Sequence, residues 1–470
     1  MSENTETATV DAPAAPAKRT RLIIAATAAA TLVVGIAFGA GILINGSPAP
    51  EPTETAASRE TPANPLATAP LRTCSVGIVA GNAALGTLSA MVTNPATSET
   101  LLSIDGDKPV LTASTMKLAT AAVALNILGS GYRFTTTVVD GSADGSVVLV
   151  GGGDPTLSVG GNSVYPGAPS IRELARQTVI HYAEENPDAP AITNVIVDVS
   201  MFPTSDAWHS SWPESERTNG YHALVVPLMV DGDRANPAQA TSTRSTDPVG
   251  KAVAAFLSGL ESAGNTAESV SITYGSAPSG AAVLGEVKSK TVGTLIGQML
   301  PYSDNTLAEQ LIRVASVELG LGGTASSIQQ TMVGGLGNIG VDASGSTFID
   351  GSGLSEDNAV APSVMTSLVT AILDPKNKLD TIYAALPISG KTGTLSSRFQ
   401  GDSAEAAGAV HAKTGWIIGG YTLAGTVDAA DGTQLVFSIV TRGEVDDSAK
   451  AAIDLLVTGI YNCGNNLAAY

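Results

Sequence analysis

The sequence is poor in cysteine, histidine, aromatic residues and charge. Its 470 residues include two Cys, four His and three Trp, with 4% aromatic and 14% charged residues. Two cysteines exclude a disulfide-rich scaffold. The histidines show no metal-binding spacing such as H-E-x-x-H, and they stand at His181, His209, His222 and His411. We therefore expect neither a metal site nor a cofactor.

Positive charge is scarce as well. Lys and Arg total 24 against 43 Asp and Glu, which gives a net charge of −19. Nucleic acid is excluded as an expected partner because phosphate binding needs a basic face. No G-x-S-x-G elbow or phosphate-binding glycine loop is present. The length and the 44% hydrophobic content suit two or three globular domains with sizeable cores.

One uncharged hydrophobic run, Leu22–Ile44, follows the basic residues Lys18, Arg19 and Arg21. It is long enough to cross a bilayer, with the basic flank and residues 1–21 in the cytoplasm. It is either an uncleaved anchor or a cleaved signal segment, and its length favours the anchor. In both cases the chain after about residue 45 is extracytoplasmic. Residues 45–73, rich in Pro, Ala and Thr, are predicted to be a linker.

Cys74 and Cys463 bracket the exported part of the chain. Export makes a disulfide chemically possible, and neither cysteine lies in a motif typical of a reactive thiol. We expect the pair to join the two chain ends. Between them, residues 140–280 alternate helical and strand patterns, which indicates one or more inserted α/β units.

Three short motifs carry possible chemistry. Ser114 and Lys117 form the only Ser-x-x-Lys pair, at the start of a predicted helix that ends at Gly129. Ser303-Asp304-Asn305 begins a second predicted helix, and Lys413-Thr414-Gly415 lies on a predicted strand. Each motif alone has an ordinary structural reading as a helix cap, a surface lysine or an edge strand. Together and in this order they are the signature of serine β-lactamases and penicillin-binding proteins.

The residue types match acyl transfer by a serine. Ser114 would be the nucleophile and Lys117 its base, since a serine hydroxyl needs a base to become reactive. Ser303 would pass the proton to the leaving amine, and Asn305 would orient Lys117 and the substrate. Lys413 would hold down the pKa of Lys117 and favour a substrate carboxylate.

Further segments make the resemblance specific. They are LVGGGDPTLS, DVSMF, MLPYSDNTLAEQL, DGSGLSEDN and SGKTGTLSSRF. Over about residues 75–460 the chain resembles the class C low-molecular-mass penicillin-binding proteins, the D-alanyl-D-alanine carboxypeptidase/endopeptidase family. The resemblance implies an α/β (α+β) fold, in which an antiparallel sheet flanked by helices and a helical subdomain form a transpeptidase-like domain. That domain would comprise residues 74–139 and 281–470, interrupted by residues 140–280.

A second Lys-Thr-Gly, at Lys391-Thr392-Gly393, competes with Lys413. Only Lys413 is followed by a strand, a hairpin at Asp431-Gly432 and a closing helix, so we assign Lys413. By the resemblance, Arg398 matches a supporting position before the strand motif.

The chain departs from the family pattern in two places. Trp416 follows the motif where Thr or Ser is usual, so its N–H can serve an oxyanion hole with that of Ser114, but a hydroxyl is missing. Thr414 and Gly415 would carry more of the substrate binding. Glu356 replaces a residue that is often basic. Asp198, in DVSMF, matches a position near the amino end of the peptide substrate, although a strand-end role is equally compatible.

The resemblance implies a serine D-Ala-D-Ala carboxypeptidase or endopeptidase that acts on peptidoglycan stem peptides and is acylated by β-lactams. Two alternatives remain open. A β-lactamase or esterase of the same fold shares the motifs, and a non-catalytic peptidoglycan-binding protein could retain a relic site. The sequence does not indicate the oligomeric state or the third residue of the stem peptide.

Overall fold

A computed structural model describes residues 71–468 of the chain. The predicted tail, the hydrophobic segment at 22–44 and nearly all of the predicted linker lie outside these residues. Within the described part, no helix combines the length and the apolar character needed to cross a bilayer.

Ten strands form two five-stranded sheets. In chain order they are β1 (Thr87–Asn94), β2 (Glu99–Ile104), β3 (Thr135–Asp140), β4 (Ser146–Val150), β5 (Asn194–Asp198), β6 (Ser271–Tyr274), β7 (Val283–Lys288), β8 (Val410–Ile417), β9 (Gly420–Asp428) and β10 (Gln434–Arg442). The first sheet has the order β2-β1-β10-β9-β8 and is antiparallel throughout. The second has the order β6-β5-β4-β3-β7 and is mixed, with β4, β5 and β6 parallel.

Eleven α-helices accompany these sheets in the described residues. They are α1 (Gly77–Ala80), α2 (Met116–Leu128), α3 (Ile171–Glu185), α4 (Ser215–Thr218), α5 (Pro248–Ser262), α6 (Val292–Tyr302), α7 (Asn305–Glu318), α8 (Ser327–Asn338), α9 (Pro362–Leu373), α10 (Asp380–Ala384) and α11 (Ser448–Cys463). The mixed α/β architecture predicted from the sequence is thereby confirmed.

Helix α2 lies at the centre of the largest hydrophobic core. Every residue from Met116 to Leu125 is buried, so the helix has no solvent face until its last turn. Its Ala-rich sequence permits this, because small side chains let α6, α7, α8 and α9 approach closely. The core thus fixes the first turn of α2, which carries Lys117 and directly follows Ser114.

Two further cores stabilise the sheets. Helix α11 packs on the first sheet through residues such as Ile453, Val457 and Ile460. Helices α3 and α5 pack together on the second sheet, with Leu174 and Phe256 fully buried between them. The second sheet runs from Thr135 to Lys288, slightly beyond the predicted insertion of 140–280, because its strands β3 and β7 pair with each other. The division into domains stays a prediction.

The predicted disulfide is confirmed. Cys74 and Cys463 are bonded across 389 residues, with their Cα atoms 5.4 Å apart. Backbone hydrogen bonds from Cys74 to Asn466 and from Ala468 to Cys74 continue the connection. The bond therefore ties the start of the described chain to the end of α11.

We expect the double variant Cys74→Ala/Cys463→Ala to lose about 2–4 kcal/mol of unfolding free energy, since the bond closes a very long loop in the unfolded chain. Denaturant unfolding of both proteins measures the loss. A reductant should lower the midpoint of the wild type and leave that of the variant unchanged. Equal midpoints for the two oxidised proteins would contradict the expectation.

Candidate active site

Ser114 lies in a single 3-10 turn, Ala113–Thr115, that leads directly into α2. Ala113 has a left-handed φ of 43°, so the chain bends sharply before the serine. Gly353 packs against this bend, and a Cβ there would lie 1.8 Å from the Ala113 carbonyl oxygen. The Ser-x-x-Lys spacing then places Lys117 on the same face, with Nζ 2.9 Å from Ser114 Oγ.

The Lys117 amine is completely buried and surrounded by three oxygen atoms. Besides Ser114 Oγ, it donates to Asn305 Oδ1 at 2.6 Å and to the Ser352 carbonyl at 2.7 Å. Burial lowers the pKa of Lys117 to about 8, although the carboxylates of Asp350 and Glu309 act in the opposite direction. A minor neutral fraction of this amine is therefore present at pH 7, and this fraction rises to about half near pH 8.

The Ser-Asp-Asn motif forms the junction between α6 and α7. Ser303 ends α6 with a left-handed φ of 56°, and Asp304 caps α7 by accepting from the Leu307 N–H at 3.0 Å. Asn305 is the first residue of α7 and faces Lys117. The predicted helix start is confirmed, and the bend at Ser303 gives its side chain a direction different from that of Asn305.

Residues from the region of the second sheet hold this junction in place. The Asp304 carboxylate accepts from Tyr165 Oη at 2.7 Å and forms a buried ion pair with Arg234 at 3.0 Å. Although burial raises the pKa of Asp304, Arg234 and Arg244 hold it below the ordinary value. Asn305 Nδ2 also donates to the Tyr221 carbonyl at 3.3 Å. Asp304 is thus held by Tyr165 and Arg234, and Asn305 is held between the Tyr221 carbonyl and Lys117.

Lys413 lies on β8, the strand at one edge of the first sheet. It is fully buried, and its Nζ donates to Ser303 Oγ at 3.0 Å and to the Thr414 carbonyl at 2.7 Å. Burial, with a contribution from Lys117, holds the pKa of Lys413 well below its ordinary value. The second lysine of the site thereby contacts the hydroxyl of Ser303.

Gly415 brings the backbone of β8 against the serine. A Cβ at this position would lie 2.8 Å from the Ser114 backbone nitrogen and 2.1 Å from Thr422 Oγ1. No side chain fits there, which explains the glycine of the Lys-Thr-Gly motif. The Trp416 backbone follows immediately, while its indole ring is 54% exposed beside Tyr421.

Lys391, the competing lysine, is not brought to Ser114. It is exposed in a turn before β8, and its amine lies beside Gly408. Asp198 ends β5 and is also absent from the cleft lining. Its two carboxylate oxygens accept from the backbone of Ser200 and Ala277. Its role near the amino end of a substrate stays a prediction.

The motifs meet in an open cleft with a volume of about 900 Å³. One wall is the edge of β8, with Thr414, Gly415 and Trp416. The opposite wall comes from the region before and after α4, with Ser211, Pro213, Glu216, Tyr221 and Thr241. Arg398, predicted as a supporting residue, borders the cleft and forms a two-point ion pair with Asp454. Glu356 is exposed at the cleft.

Three contributors were not predicted from the sequence. The Ser352 and Tyr221 backbone carbonyls bind Lys117 and Asn305, and the buried carboxyl of Glu309 lies behind Ser352. Every residue has a backbone carbonyl, so the residue type does not indicate which carbonyl binds a lysine or an asparagine. The segment Asp350–Ser355, which matches the family pattern, is the one sequence signal that pointed to this loop. Among residues 71–468, no group of three His, Cys, Asp or Glu residues could hold a metal ion.

Comparison with known proteins agrees with this geometry. The profile of the D-Ala-D-Ala carboxypeptidase 3 (S13) family matches residues 77–243 and 233–460. Carboxypeptidase DacB of Mycolicibacterium smegmatis is 32% identical over 94% of this chain and 95% of its own. The D-alanyl-D-alanine carboxypeptidase of Actinomadura sp. is 30% identical over 78% of this chain and 79% of its own.

A solved structure has the same fold. Penicillin binding protein 4 (dacB) of Haemophilus influenzae superposes with a TM-score of 0.67 at 19% identity, over 82% of this chain and 99% of that chain. The profile match extends over most of the chain, and the two sequence relatives are matched over 95% and 79% of their own lengths. The chain belongs to the D-Ala-D-Ala carboxypeptidase 3 (S13) family.

Proposed function

We propose that this protein is a serine D-Ala-D-Ala carboxypeptidase that cleaves the terminal peptide bond of peptidoglycan stem peptides through an acyl-enzyme. The observation that carries the proposal is the buried Lys117 amine, 2.9 Å from Ser114 Oγ and bound by two carbonyl oxygens. No other serine in the described residues has this arrangement.

The two carbonyl oxygens determine which way the lone pair of Lys117 points. Asn305 Oδ1 and the Ser352 carbonyl can only accept, so each takes one N–H of a neutral amine. The remaining position, directed at Ser114, is then occupied by the lone pair. Lys117 can therefore remove the proton of Ser114 as the hydroxyl attacks the substrate carbonyl.

Ser303 and Lys413 complete the proton path. As the carbon–nitrogen bond breaks, the leaving amine of D-alanine takes a proton from Ser303 Oγ, which Lys413 contacts at 3.0 Å. The substrate remains as an ester of Ser114. Ser303 regains a proton from the protonated Lys413 amine that contacts it. Water then attacks the ester and passes its proton through Ser303 to Lys413. As the ester bond breaks, Ser114 Oγ takes back the proton that Lys117 removed from it.

The edge of β8 supports substrate binding. Its pairing on the outer side ends at Ala412, which donates to Pro387, and from Lys413 onward the edge borders the cleft. An extended peptide can add to such an edge as a further strand. The N–H groups of Ser114 and Trp416 would then stabilise the oxyanion. The Thr414 hydroxyl, held by Thr394 at 2.7 Å, and Lys413 would bind the terminal carboxylate.

The proposed substrate determines the location. Peptidoglycan lies outside the cytoplasm, so residues 71–468 would act there, attached by a membrane anchor at residues 22–44 or released after its cleavage. β-Lactams would acylate the same serine. The assignment of Asp198 to the amino end of the substrate is retained as part of this proposal.

Incubation of the full chain with benzylpenicillin should give a stable covalent adduct in the wild type and none in Ser114→Ala, since that variant lacks the attacking hydroxyl. Intact mass spectrometry measures both. Hydrolysed penicillin without an adduct would indicate a β-lactamase. Intact penicillin without an adduct would contradict the acyl-enzyme proposal.

The rate of acylation should rise with pH and be half-maximal near pH 8. Below this pH Lys117, with its pKa of about 8, carries a proton and cannot act as a base. Second-order rate constants with a fluorescent penicillin, measured from pH 5 to 9, test this. A rate independent of pH over that range would contradict the role of Lys117.

Lys413→Ala should slow acylation by about 100-fold, in the range found when one charge-stabilising group is removed. Lys391→Ala serves as the matched control, because the same motif surrounds an exposed lysine, and its rate should stay within about twofold of the wild type. The same penicillin assay measures both. The reverse result would show that the wrong Lys-Thr-Gly was assigned.

A further inference from the structure

Glu309 is a carboxyl group of the interior that the proposed mechanism leaves unused. It stands on α7, one turn after Asn305, and its side chain is completely buried. Residues four apart lie on the same helix face, so Glu309 extends the row that begins with Asn305 towards the core behind Lys117.

Glu309 Oε1 accepts two backbone N–H groups of the loop that binds Lys117. The Gly351 N–H donates at 2.9 Å and the Ser352 N–H at 2.6 Å. On the far side of this backbone, Thr120 Oγ1 donates to the Gly351 carbonyl at 2.5 Å and Lys117 to the Ser352 carbonyl at 2.7 Å. The peptide unit between Gly351 and Ser352 is thus held between Glu309 and Thr120, and Lys117 binds the carbonyl of the next unit.

Asp350 fixes the remainder of the loop. Its carboxylate accepts from the N–H groups of Gly353 and Ser355, from Asn358 Nδ2 and from Trp212 Nε1. The Gly353 N–H belongs to the same planar peptide unit as the Ser352 carbonyl, so Asp350 holds one end of that unit. Glu309 holds the N–H of Ser352 itself, on the preceding peptide unit. The position of the Ser352 carbonyl therefore depends on both carboxyl groups.

The second oxygen of Glu309, Oε2, is buried without a hydrogen-bond partner. A buried polar atom of this kind costs stability, and Gln310 Oε1 on the same helix is likewise without a partner. Burial and then the Asp350 carboxylate raise the pKa of Glu309 to about 7, and Arg313 opposes this. Asp350 acts on both Glu309 and Lys117, Arg313 acts on Glu309, and Asp304 and Glu216 act on Lys117.

We propose that Glu309 is a positioning residue for acylation, which together with Asp350 fixes the Ser352 carbonyl and so directs the lone pair of Lys117 at Ser114. The inference rests on the proposed function. If the Ser352 carbonyl moved away, Lys117 would lose one of the two acceptors that orient its N–H groups, and its lone pair would no longer be aimed at the serine.

The charge of Glu309 has a second, separable effect. Ionised Glu309 stabilises the protonated form of Lys117 and so raises the pKa of that amine. Gln in place of Glu keeps an oxygen for the two N–H groups and removes the charge. Hence Glu309→Gln should preserve positioning while the pKa of Lys117 falls, whereas Glu309→Ala removes both contributions.

The test measures acylation of the full chain by a fluorescent penicillin from pH 5 to 9 in four proteins. These are the wild type, Glu309→Ala, Glu309→Gln and Gln310→Ala. Gln310 is the matched control, since it is equally buried on α7 but binds the Val226 carbonyl, on the side away from Lys117. Thermal unfolding of each protein reports whether it is folded.

We expect Glu309→Ala to acylate about 100-fold more slowly, within the range attributed to a positioned general base. Glu309→Gln should recover the rate to within about threefold of the wild type, with the rise in rate displaced to lower pH. Gln310→Ala should lose stability and keep its acylation rate within about threefold.

Two results would overturn the inference. One is a folded Glu309→Ala that is acylated as fast as the wild type. The other comes from Glu309→Gln and applies even if the alanine variant does not fold. It is an acylation rate about 100-fold below that of the wild type, or a pH profile that coincides with that of the wild type. If the wild type itself formed no adduct at Ser114, the proposed function would fail instead, so the two failures are distinguishable.

Discussion

The site depends on one physical constraint, which is a primary amine held in the interior without a counterion in direct contact. Burial of the Lys117 side chain disfavours its charged form, and its pKa falls accordingly. Three oxygen atoms surround the buried amine, and their hydrogen bonds offset the free energy lost when it is removed from water. Those oxygens come from the turn before α2, from α7 and from the loop at residue 352, so three distant parts of the chain must meet at one nitrogen atom.

The region around the second sheet takes part in the same arrangement. Arg234 and Tyr165 bind Asp304, and the Tyr221 carbonyl binds Asn305. These contacts are buried, and they fix the junction between α6 and α7 at the point where Ser303 turns away from Asn305. The same region supplies the cleft wall opposite β8. This region therefore both positions the Ser-Asp-Asn motif and lines the cleft.

Trp416 lines the cleft at the position directly after the Lys-Thr-Gly motif. The position after the Lys-Thr-Gly motif carries a half-exposed indole ring beside Tyr421, where the related family usually has a hydroxyl. In the proposed function, carboxylate binding would fall to Thr414 and Lys413, whose side chains are already held by Thr394 and Ser303. Both groups are thus oriented before a substrate arrives, which reduces the entropy lost on binding.

The sequence by itself indicated the elements that carry Ser114, Ser303 and Lys413, which follow from local patterns, namely hydrophobic periodicity, cap residues and motif spacing. The α/β class was implied by the family resemblance of those motifs. The disulfide between Cys74 and Cys463 was an expectation from export and from the position of the two residues, and the tertiary structure brings them together. The sequence also favoured Lys413 over Lys391, because only the former is followed by a hairpin and a helix.

Only the tertiary structure decided how the motifs meet and what supports them. The contacts of Lys117 with the Ser352 carbonyl, and of Ser352 with Glu309, join residues that no local pattern connects. Backbone carbonyls are present at every residue, so identity cannot mark the one that binds an amine. The burial that lowers the pKa of Lys117 likewise arises from packing across the whole core, since no short segment can exclude water from a side chain.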